Sequence, residues 1–468
     1  MNIQTKSLLL AAFFALFLFG KVQSQIDLAG HWKGVLKISG QELPLIFNFE
    51  ATEEGWKGSL NNPAQGAKGI PMSKVQYLKP NLTLEINQIN ARYIGVLVSD
   101  TLQGTFSQGG MNFQLKLAKV EAESLIPNRP QNPKGPFEYE TIETSFNNLQ
   151  DGFNLKGTIT KPKGMGPFPA VVLVTGSGPQ NRNGELMGHQ PFWVIADFLT
   201  RKGIVVLRYD ERGVGKSGGE YNQATTYDFR RDAELALDHL KKYPFVDQMK
   251  TGILGHSEGG MIAWMLAAEK KGLGFIVSLA GPVVPIVDLM NQQTKDILEQ
   301  SGLPEERKQM QMELNDRIYK TFLETQHKDS LQNKLDNTIK GYLIELGEDG
   351  EVVEEQYKVI KNAYKNLLTP WYYEFIRFDP TNYVQNANCP ALALFGEKDL
   401  QVNGKINSNK LDSLKSNGQM ENIDIRLYPK MNHLFQNSET GAISEYSIIE
   451  ETFNEEVMRD IAQWILAQ

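Results

Sequence analysis

The sequence is poor in cysteine, in net positive charge and in long apolar runs, and each shortage excludes a class of protein. Its 468 residues include a single cysteine, Cys389, so an internal disulfide is impossible, and we expect this residue to be a buried small hydrophobe. Lys and Arg number 48 against 55 Asp and Glu, which gives a formal net charge of −7. The sequence has no basic patch of the kind that nucleic-acid binding requires.

The one long apolar run lies near the start of the chain. It extends over 8–19, is preceded by a lysine, and is followed by small residues just before Gln25. This pattern is typical of a signal peptide, so we expect residues 1–24 to be removed and the mature protein to be secreted or periplasmic, with no membrane span. Lys21 lies between the apolar run and the cleavage point, which leaves a retained anchor as the alternative.

A proline-rich segment, residues 126–136, predicts a linker between two regions whose sequence patterns differ. Before it, residues 25–125 alternate apolar and polar residues in short stretches between turn residues, which predicts a small all-β, barrel-like domain. After it, residues 137–468 alternate strands with helices, which predicts an α/β domain with a mostly parallel, doubly wound sheet. Within this domain, about 285–375 has helical periodicity and predicts four or so inserted helices that form a cap.

The α/β domain contains the pattern Gly-His-Ser-Glu-Gly at residues 255–259, between an apolar strand and a predicted helix. A serine on such a sharp strand-to-helix turn has an exposed hydroxyl, so Ser257 is the predicted nucleophile. The same spelling occurs at 215–219, but no apolar strand precedes Ser217 and no helix follows it directly, which favours a solvated loop serine. A phosphate-binding loop is rejected there, because that motif requires glycine at the position of Asp210.

A serine nucleophile needs a base, and the sequence offers six histidines. His433 follows a predicted sheet strand, from which it can reach over the strand ends, so it is the predicted base. Of the other five, His31 lies in the β domain, His327 in the cap and His239 in an amphipathic helix. His189 precedes a helix and could border the site, and His256 is the turn residue beside Ser257. Asp399, also at a strand end, is the predicted acid that orients His433, with Glu397 as the alternative.

The remaining predicted site residues are backbone donors and cap aromatics. The oxyanion of an acyl-transfer intermediate needs two N–H donors. One should belong to Glu258, directly after the nucleophile, and the other to Ser177, with Gly178 as the alternative. Trp371 and Tyr373, where the cap rejoins the sheet, could line an acyl pocket or simply pack the cap.

Taken together, these motifs resemble the α/β-hydrolase superfamily. The order Gly255-His-Ser-Glu-Gly259, Gly396-Glu-Lys-Asp399 and Asn432-His433 carries the resemblance, and Tyr209 to Ser217 looks like the loop after its fourth strand. Gly176-Ser-Gly-Pro-Gln180, Pro370-Trp-Tyr-Tyr373 and Asp379-Pro380 are similar to bacterial carboxylesterases with a helical cap, which are grouped with serine aminopeptidase-like hydrolases. The resemblance covers about residues 137–468 and implies neither a metal nor a cofactor.

The sequence therefore predicts a secreted serine hydrolase that cleaves small-molecule carboxylic esters through an acyl-enzyme. Two alternatives stay open. One is a serine peptidase of the aminopeptidase or acyl-peptide type, and the other is an inert hydrolase fold that only binds a ligand. The natural substrate and the oligomeric state are left open as well.

Overall fold

The computed structural model describes residues 28–38, 41–63, 67–122, 128–347 and 349–468. The predicted signal peptide, residues 1–24, lies outside the described residues, as does the beginning of the predicted linker. The chain forms two compact units. One consists mainly of the strands before Ala122, and the other comprises the chain from Glu123 onward together with two short stretches of those strands.

Nine strands form the first sheet within the described residues. They are β1 (Gly30–Ile38), β2 (Gln41–Thr52), β3 (Gly55–Asn62), β4 (Ala67–Pro71), β5 (Lys74–Leu78), β6 (Asn81–Ile86), β7 (Ala91–Val98), β8 (Thr101–Gln108) and β9 (Met111–Val120). Their order is β4-β3-β2-β1-β9-β8-β7-β6-β5. The pairs from β5 to β9 are antiparallel, and so is the β1–β9 pair that joins the first strand to the last.

Alternation of side chains gives these strands one buried face. In β7, Ala91, Tyr93 and Gly95 are buried, and the residues between them are exposed. Trp32 is also fully buried, and its indole N–H donates to the carbonyl of Leu28 over 2.8 Å, which satisfies the polar atom of a buried tryptophan. The predicted all-β character of this region is confirmed.

The second sheet has eight strands within the described residues. They are β10 (Glu140–Asn148), β11 (Phe153–Lys161), β12 (Phe168–Val174), β13 (Val205–Tyr209), β14 (Val246–His256), β15 (Ile276–Leu279), β16 (Ala391–Gly396) and β17 (Ile423–Tyr428). The order is β10-β11-β13-β12-β14-β15-β16-β17. The pairs β10–β11 and β11–β13 are antiparallel, and every later pair in this order is parallel. All residues of β13, β15 and β16 are buried, as parallel strands covered on both faces require.

Five helices flank this sheet: α1 (Pro191–Arg201), α2 (Thr226–Leu240), α3 (Glu258–Glu269), α10 (Gly404–Ser416) and α11 (Glu455–Ala467). α1 packs with α11, and α2 packs with α3. α3 follows β14 with one residue between them, and its apolar residues are buried around most of its circumference. This arrangement confirms the predicted α/β class.

The insertion between β15 and β16, called the cap below, is helical. It contains α4 (Ile286–Gln300), α5 (Glu305–Glu324), α6 (Lys328–Glu345), α7 (Gly350–Tyr364), a 3-10 turn (Lys365–Leu368), α8 (Pro370–Phe375) and α9 (Thr381–Gln385). In α5, Leu314, Ile318 and Phe322 recur every four residues and are buried, so the cap has an apolar interior under a charged surface. Across the described ranges, no helix is long and apolar enough to cross a membrane.

Candidate active site

Ser257 occupies a strained turn at the carboxyl end of β14, a central strand of the second sheet. It is the single residue between the end of β14 at His256 and the start of α3 at Glu258, and its backbone has φ 56° and ψ −119°. Such a conformation costs free energy for a residue other than glycine and persists only where the surroundings impose it. The Ser257 N–H donates to the carbonyl of Leu279 over 2.8 Å, which ties the turn to β15.

Two glycines make this turn sterically possible. A Cβ on Gly255 would lie 1.9 Å from the carbonyl oxygen of Gly259, and one on Gly259 would lie 2.1 Å from the carbonyl oxygen of Val174. Any side chain at either position would therefore collide with backbone. The close approach of strand and helix that the Gly-x-Ser-x-Gly spacing predicts is present.

The second match to that spacing has a structural role instead. Ser217 donates to the carbonyl of Asp210 over 2.6 Å and accepts the N–H of Lys156 over 2.9 Å. Its side chain is partly buried, so the expectation of a solvated loop serine is wrong in this detail. The loop turns back onto β11, and the hydroxyl pins it there.

Asp399 and His433 meet at the same edge of the sheet. His433 Nδ1 lies 2.7 Å from Asp399 Oδ2, and both side chains are almost completely buried. The other carboxylate oxygen, Oδ1, accepts the backbone N–H groups of Gln401 and Val402, each over 2.8 Å. The carboxylate is therefore fixed by its own loop, and it presents one free oxygen to the imidazole.

The loop that carries His433 is also held from within. Asn432 is fully buried, and its side-chain oxygen accepts the N–H groups of Leu434 and Gln436 over 3.0 Å each. The ring of His256 lies 4.7 Å from the ring of His433, and its Nε2–H donates to the His433 carbonyl over 2.8 Å. Burial, with the neighbouring His433, lowers the pKa of His256 to about 3, so its imidazole is neutral.

The structure brings the three predicted residues to one sheet edge but does not join all of them by hydrogen bonds. Ser257, Asp399 and His433 each follow a parallel strand of the same sheet, β14, β16 and β17. Among the described residues, no hydrogen bond is formed by the Ser257 hydroxyl. Catalytic hydrogen bonds are often loose until substrate is bound, so this geometry is compatible with a serine and its base.

The alternative acid, Glu397, does not contact the histidine. Its carboxylate is 3.8 Å from Lys405 Nζ, and its side chain is 32% exposed. His189, which precedes α1 in the sequence, lies in a buried network, 2.8 Å from Thr452 Oγ1. Burial lowers the pKa of His189 to about 4, which keeps this ring neutral as well.

A loop at residues 175–180, called the oxyanion loop below, lies against Ser257. A Cβ on Gly176 would be 3.0 Å from Cβ of Ser257. The Ser177 hydroxyl donates to Oε2 of Glu258 over 2.9 Å, so the loop is attached to the first turn of α3. Gly178 has φ +95°, a conformation that favours glycine.

Glu258, the residue that follows Ser257, carries a buried carboxyl group. Its Oε1 accepts the Thr226 hydroxyl over 2.6 Å and the Trp371 indole N–H over 2.8 Å. Burial raises the pKa of this carboxyl, and the hydrogen bonds from its neutral partners oppose that effect. Trp371, predicted to line a pocket, thus uses its polar atom to bind the start of α3.

A second buried acid, Glu211, holds the other end of the oxyanion loop. Its carboxyl accepts the Thr175 hydroxyl and, over 2.8 Å, the N–H of Gln180. Burial, opposed by these hydrogen bonds and reinforced by Glu258 and Asp232, raises the pKa of Glu211 to about 8. A cavity of about 10 Å³, the size of one water molecule, lies between Glu211 and Glu258.

Sequence reasoning did not assign a role to Glu211. It belongs to the run Tyr-Asp-Glu-Arg-Gly at 209–213, which the resemblance includes, and its position just after the predicted strand 204–208 was the available signal.

Tyr373 contacts only the cap through its polar atom. Its hydroxyl donates to the carbonyls of Thr325 and Gln326, over 3.2 Å and 3.0 Å, and the Arg377 guanidinium lies 3.6 Å from its ring centroid. These contacts correspond to cap packing, the alternative that the sequence left open. Within the described residues, no group of three or more His, Cys, Asp or Glu side chains is arranged to hold a metal ion.

Three comparisons find known proteins similar to this chain. The family model described as serine aminopeptidase, S33, matches residues 190–439, more than half of the chain. Esterase EstD of Thermotoga maritima is 27% identical over 368 residues, which cover 76% of this chain and 79% of that protein. Dipeptidyl-peptidase 5 of Porphyromonas gingivalis is 28% identical over 119 residues, 24% of this chain and only 17% of that protein. A solved structure of an esterase from Pyrococcus furiosus aligns with a TM-score of 0.43 and 16% identity, over 73% of this chain and 97% of that one.

Proposed function

The chain belongs to the serine aminopeptidase S33 family of α/β-hydrolases, and from this premise we propose that it is a serine hydrolase that cleaves carboxylic esters. The observation that carries the proposal is the 2.7 Å contact between His433 Nδ1 and Asp399 Oδ2, at the sheet edge where Ser257 stands on its turn. An imidazole that a carboxylate orients, and that can reach a serine hydroxyl, is the arrangement that makes serine a nucleophile. The likeness to Esterase EstD over most of both chains supports ester substrates.

In the proposed reaction, Ser257 Oγ attacks the carbonyl carbon of the ester and His433 Nε2 takes its proton. Collapse of the tetrahedral intermediate breaks the bond to the alcohol oxygen, which receives that proton from His433. Water then attacks the acyl-enzyme, again with His433 as base, and releases the carboxylic acid and free Ser257. Asp399 holds the Nδ1–H tautomer and stabilises the imidazolium that forms twice in the cycle.

The oxyanion of each intermediate needs donors that are fixed before the reaction. The proposed donors are the N–H groups of Glu258, at the N-terminus of α3, and of Ser177 in the oxyanion loop. The dipole of α3 adds a favourable field for negative charge at this point. Gly178, the next residue of the loop, is the alternative second donor.

Replacement of the nucleophile tests the proposal, and the chain supplies its own matched control. Ser257→Ala should lower kcat on an aryl ester by at least ~10⁴-fold, since the members of such a triad act as a unit. Ser217→Ala removes a serine from the same sequence pattern and should retain the activity, because this hydroxyl only pins a loop. Undiminished hydrolysis by Ser257→Ala would refute the proposal.

Peptide bond cleavage is the second candidate, because the family model and the dipeptidyl-peptidase relative both carry peptidase names. Recognition of an N-terminal amine requires a free carboxylate in the cap. Glu345, a glutamate of the cap, is paired with Arg317 at 2.7 Å and is therefore not free for this role. Turnover of an aminoacyl arylamide beside the matching aryl ester separates the two functions, and a higher kcat/KM for the arylamide would favour the peptidase.

A further inference from the structure

The carboxyl group of Glu258 connects three segments that are far apart in the chain. Its partners are Ser177 in the oxyanion loop, Thr226 at the start of α2, and Trp371 in α8 of the cap. The two oxygens divide this work: Oε2 binds the loop, and Oε1 binds α2 and the cap. The backbone N–H of the same residue is a proposed oxyanion donor, but the carboxyl has no part in the reaction as proposed above.

These contacts indicate that the Glu258 carboxyl positions its partners and does not act as the charged half of an ion pair. All three partners are neutral donors, and the side chain is 2% exposed. A buried carboxyl with neutral partners lowers the free energy of the folded state only through well-made hydrogen bonds, since a lone buried charge is costly.

On the cap side, the link is made by aromatic side chains of α8. Trp371 stacks on Phe375 with ring centroids 4.6 Å apart and 20° between the planes. The next residue, Tyr372, packs against Phe322 of α5 with centroids 5.4 Å apart. A displacement of the cap would therefore move the indole N–H and break or lengthen its hydrogen bond to Oε1 of Glu258.

On the other side, the oxyanion loop is fastened at both ends. Glu211 holds Thr175 and Gln180, and Glu258 holds Ser177 between them. The N–H that the loop would supply to the oxyanion belongs to the same residue, Ser177, whose hydroxyl Glu258 binds. The position of this donor thus depends directly on Glu258.

We propose that the Glu258 carboxyl is a positioning group that couples the cap to the oxyanion hole, through Trp371 on one side and Ser177 on the other. When α8 is seated, Oε1 is occupied and Oε2 holds Ser177 in place for the intermediate. Loss of the Trp371 contact leaves Thr226 as the one partner of Oε1, so the carboxyl is held less firmly and Ser177 with it. This inference rests on the proposed serine hydrolase function and names the residues that make its efficiency depend on the cap.

A double-mutant cycle on the full chain tests the coupling. Trp371→Phe removes the indole N–H but keeps an aromatic ring against Phe375. It should lower kcat on an aryl ester about 10-fold, the usual effect of one hydrogen bond to a carboxyl group, with KM within about 2-fold. Ser177→Ala should lower kcat by a similar factor. Because both act through Glu258, the double variant should lose little more than either single variant, whereas independent effects would multiply.

Glu258 itself supplies the rescue. Glu258→Ala should lower kcat by about 100-fold, as displacement of an oxyanion donor does. In Glu258→Gln, the amide oxygen can still accept from Thr226 and Trp371, and the NH₂ group can donate to the Ser177 hydroxyl. Glu258→Gln should therefore recover at least tenfold of the loss, while kcat with Tyr342→Phe, which removes only a cap-internal bond to Met310, should stay at the wild-type value.

The outcomes are distinguishable from failure of the proposed function. If the wild-type chain hydrolyses no ester and no arylamide, the serine hydrolase proposal fails first. If the wild-type chain is active but the effects of Trp371→Phe and Ser177→Ala multiply, or if Trp371→Phe changes only KM, the coupling is overturned. The cycle keeps Glu258 intact, so it decides the question even if Glu258→Ala does not fold.

Discussion

Substitution of Asp399 by asparagine should inactivate the protein through the tautomer of His433. One carboxylate oxygen accepts two backbone N–H groups at 2.8 Å each, from Gln401 and Val402, and the other meets His433 Nδ1 at 2.7 Å. In the asparagine variant, the NH₂ group cannot take the first position, because it would face two N–H donors. It must therefore face His433.

An NH₂ group in that position donates to Nδ1, and the neutral imidazole then carries its proton on Nε2. The base is left without a lone pair where Ser257 needs one. A histidine held in the wrong tautomer lowers kcat by about 10⁴-fold, which is roughly 5 kcal/mol of transition-state stabilisation. The fold should change little, because the two backbone hydrogen bonds to the side-chain oxygen persist.

The assay is kcat on an aryl ester together with the thermal midpoint of unfolding. Glu397→Gln is the matched control: it also neutralises an acid in the same turn, but Glu397 faces Lys405 and should not affect turnover. If Asp399→Asn stays within tenfold of the wild-type kcat, or if Glu397→Gln is the inactive variant, the assignment of the acid is refuted.

Two further predictions concern the parts that support the site. Gly259→Ala would place a Cβ 2.1 Å from the Val174 carbonyl oxygen and should destabilise the fold by about 3 kcal/mol or more in urea unfolding. Gly341→Ala, in an open helix position, is the control and should stabilise the fold by up to about 1 kcal/mol. Equal effects of the two substitutions would contradict the steric account. The pKa of Glu211 is raised from 4.5 to about 8, so between these two pH values the carboxyl is protonated in the folded chain and ionised in the unfolded chain. The free energy of unfolding should therefore fall with rising pH, by about 2 kcal/mol from pH 6.5 to 8. Glu211→Gln should remove this loss, and an unchanged pH slope in the variant would contradict it.

The parts of the site that follow from local geometry were predictable from the sequence. Gly255 and Gly259 report a close approach between adjacent elements, so their spacing indicates the turn at Ser257 without knowledge of the rest of the fold. Asp399 and His433 follow strands, and the carboxyl ends of parallel strands meet at one edge of the sheet. The cap helices were readable because their apolar residues recur with helical periodicity.

The supporting contacts were not predictable in the same way. Trp371 is 113 residues from Glu258 in the chain, and the bond between them depends on how the cap lies over α3. Glu211 reads as one acid in a charged loop, and only the assembled sheet shows that the loop after β13 is buried against the oxyanion loop. Tyr373 follows Trp371 closely, yet its hydroxyl is directed to the cap, because side-chain direction on a short helix depends on packing.

The central claim is that Ser257 is an activated nucleophile, and covalent labelling tests it most directly. The folded wild-type chain is incubated with an aryl phosphonate, which reacts only with a serine that a base has activated, and the labelled residue is mapped by mass spectrometry. We expect one label, on Ser257, that is absent from Ser257→Ala and strongly slowed in Asp399→Asn, with Ser217 unlabelled throughout. No labelling of a folded sample, or a label on another serine, would contradict the account and favour an inert, ligand-binding hydrolase fold.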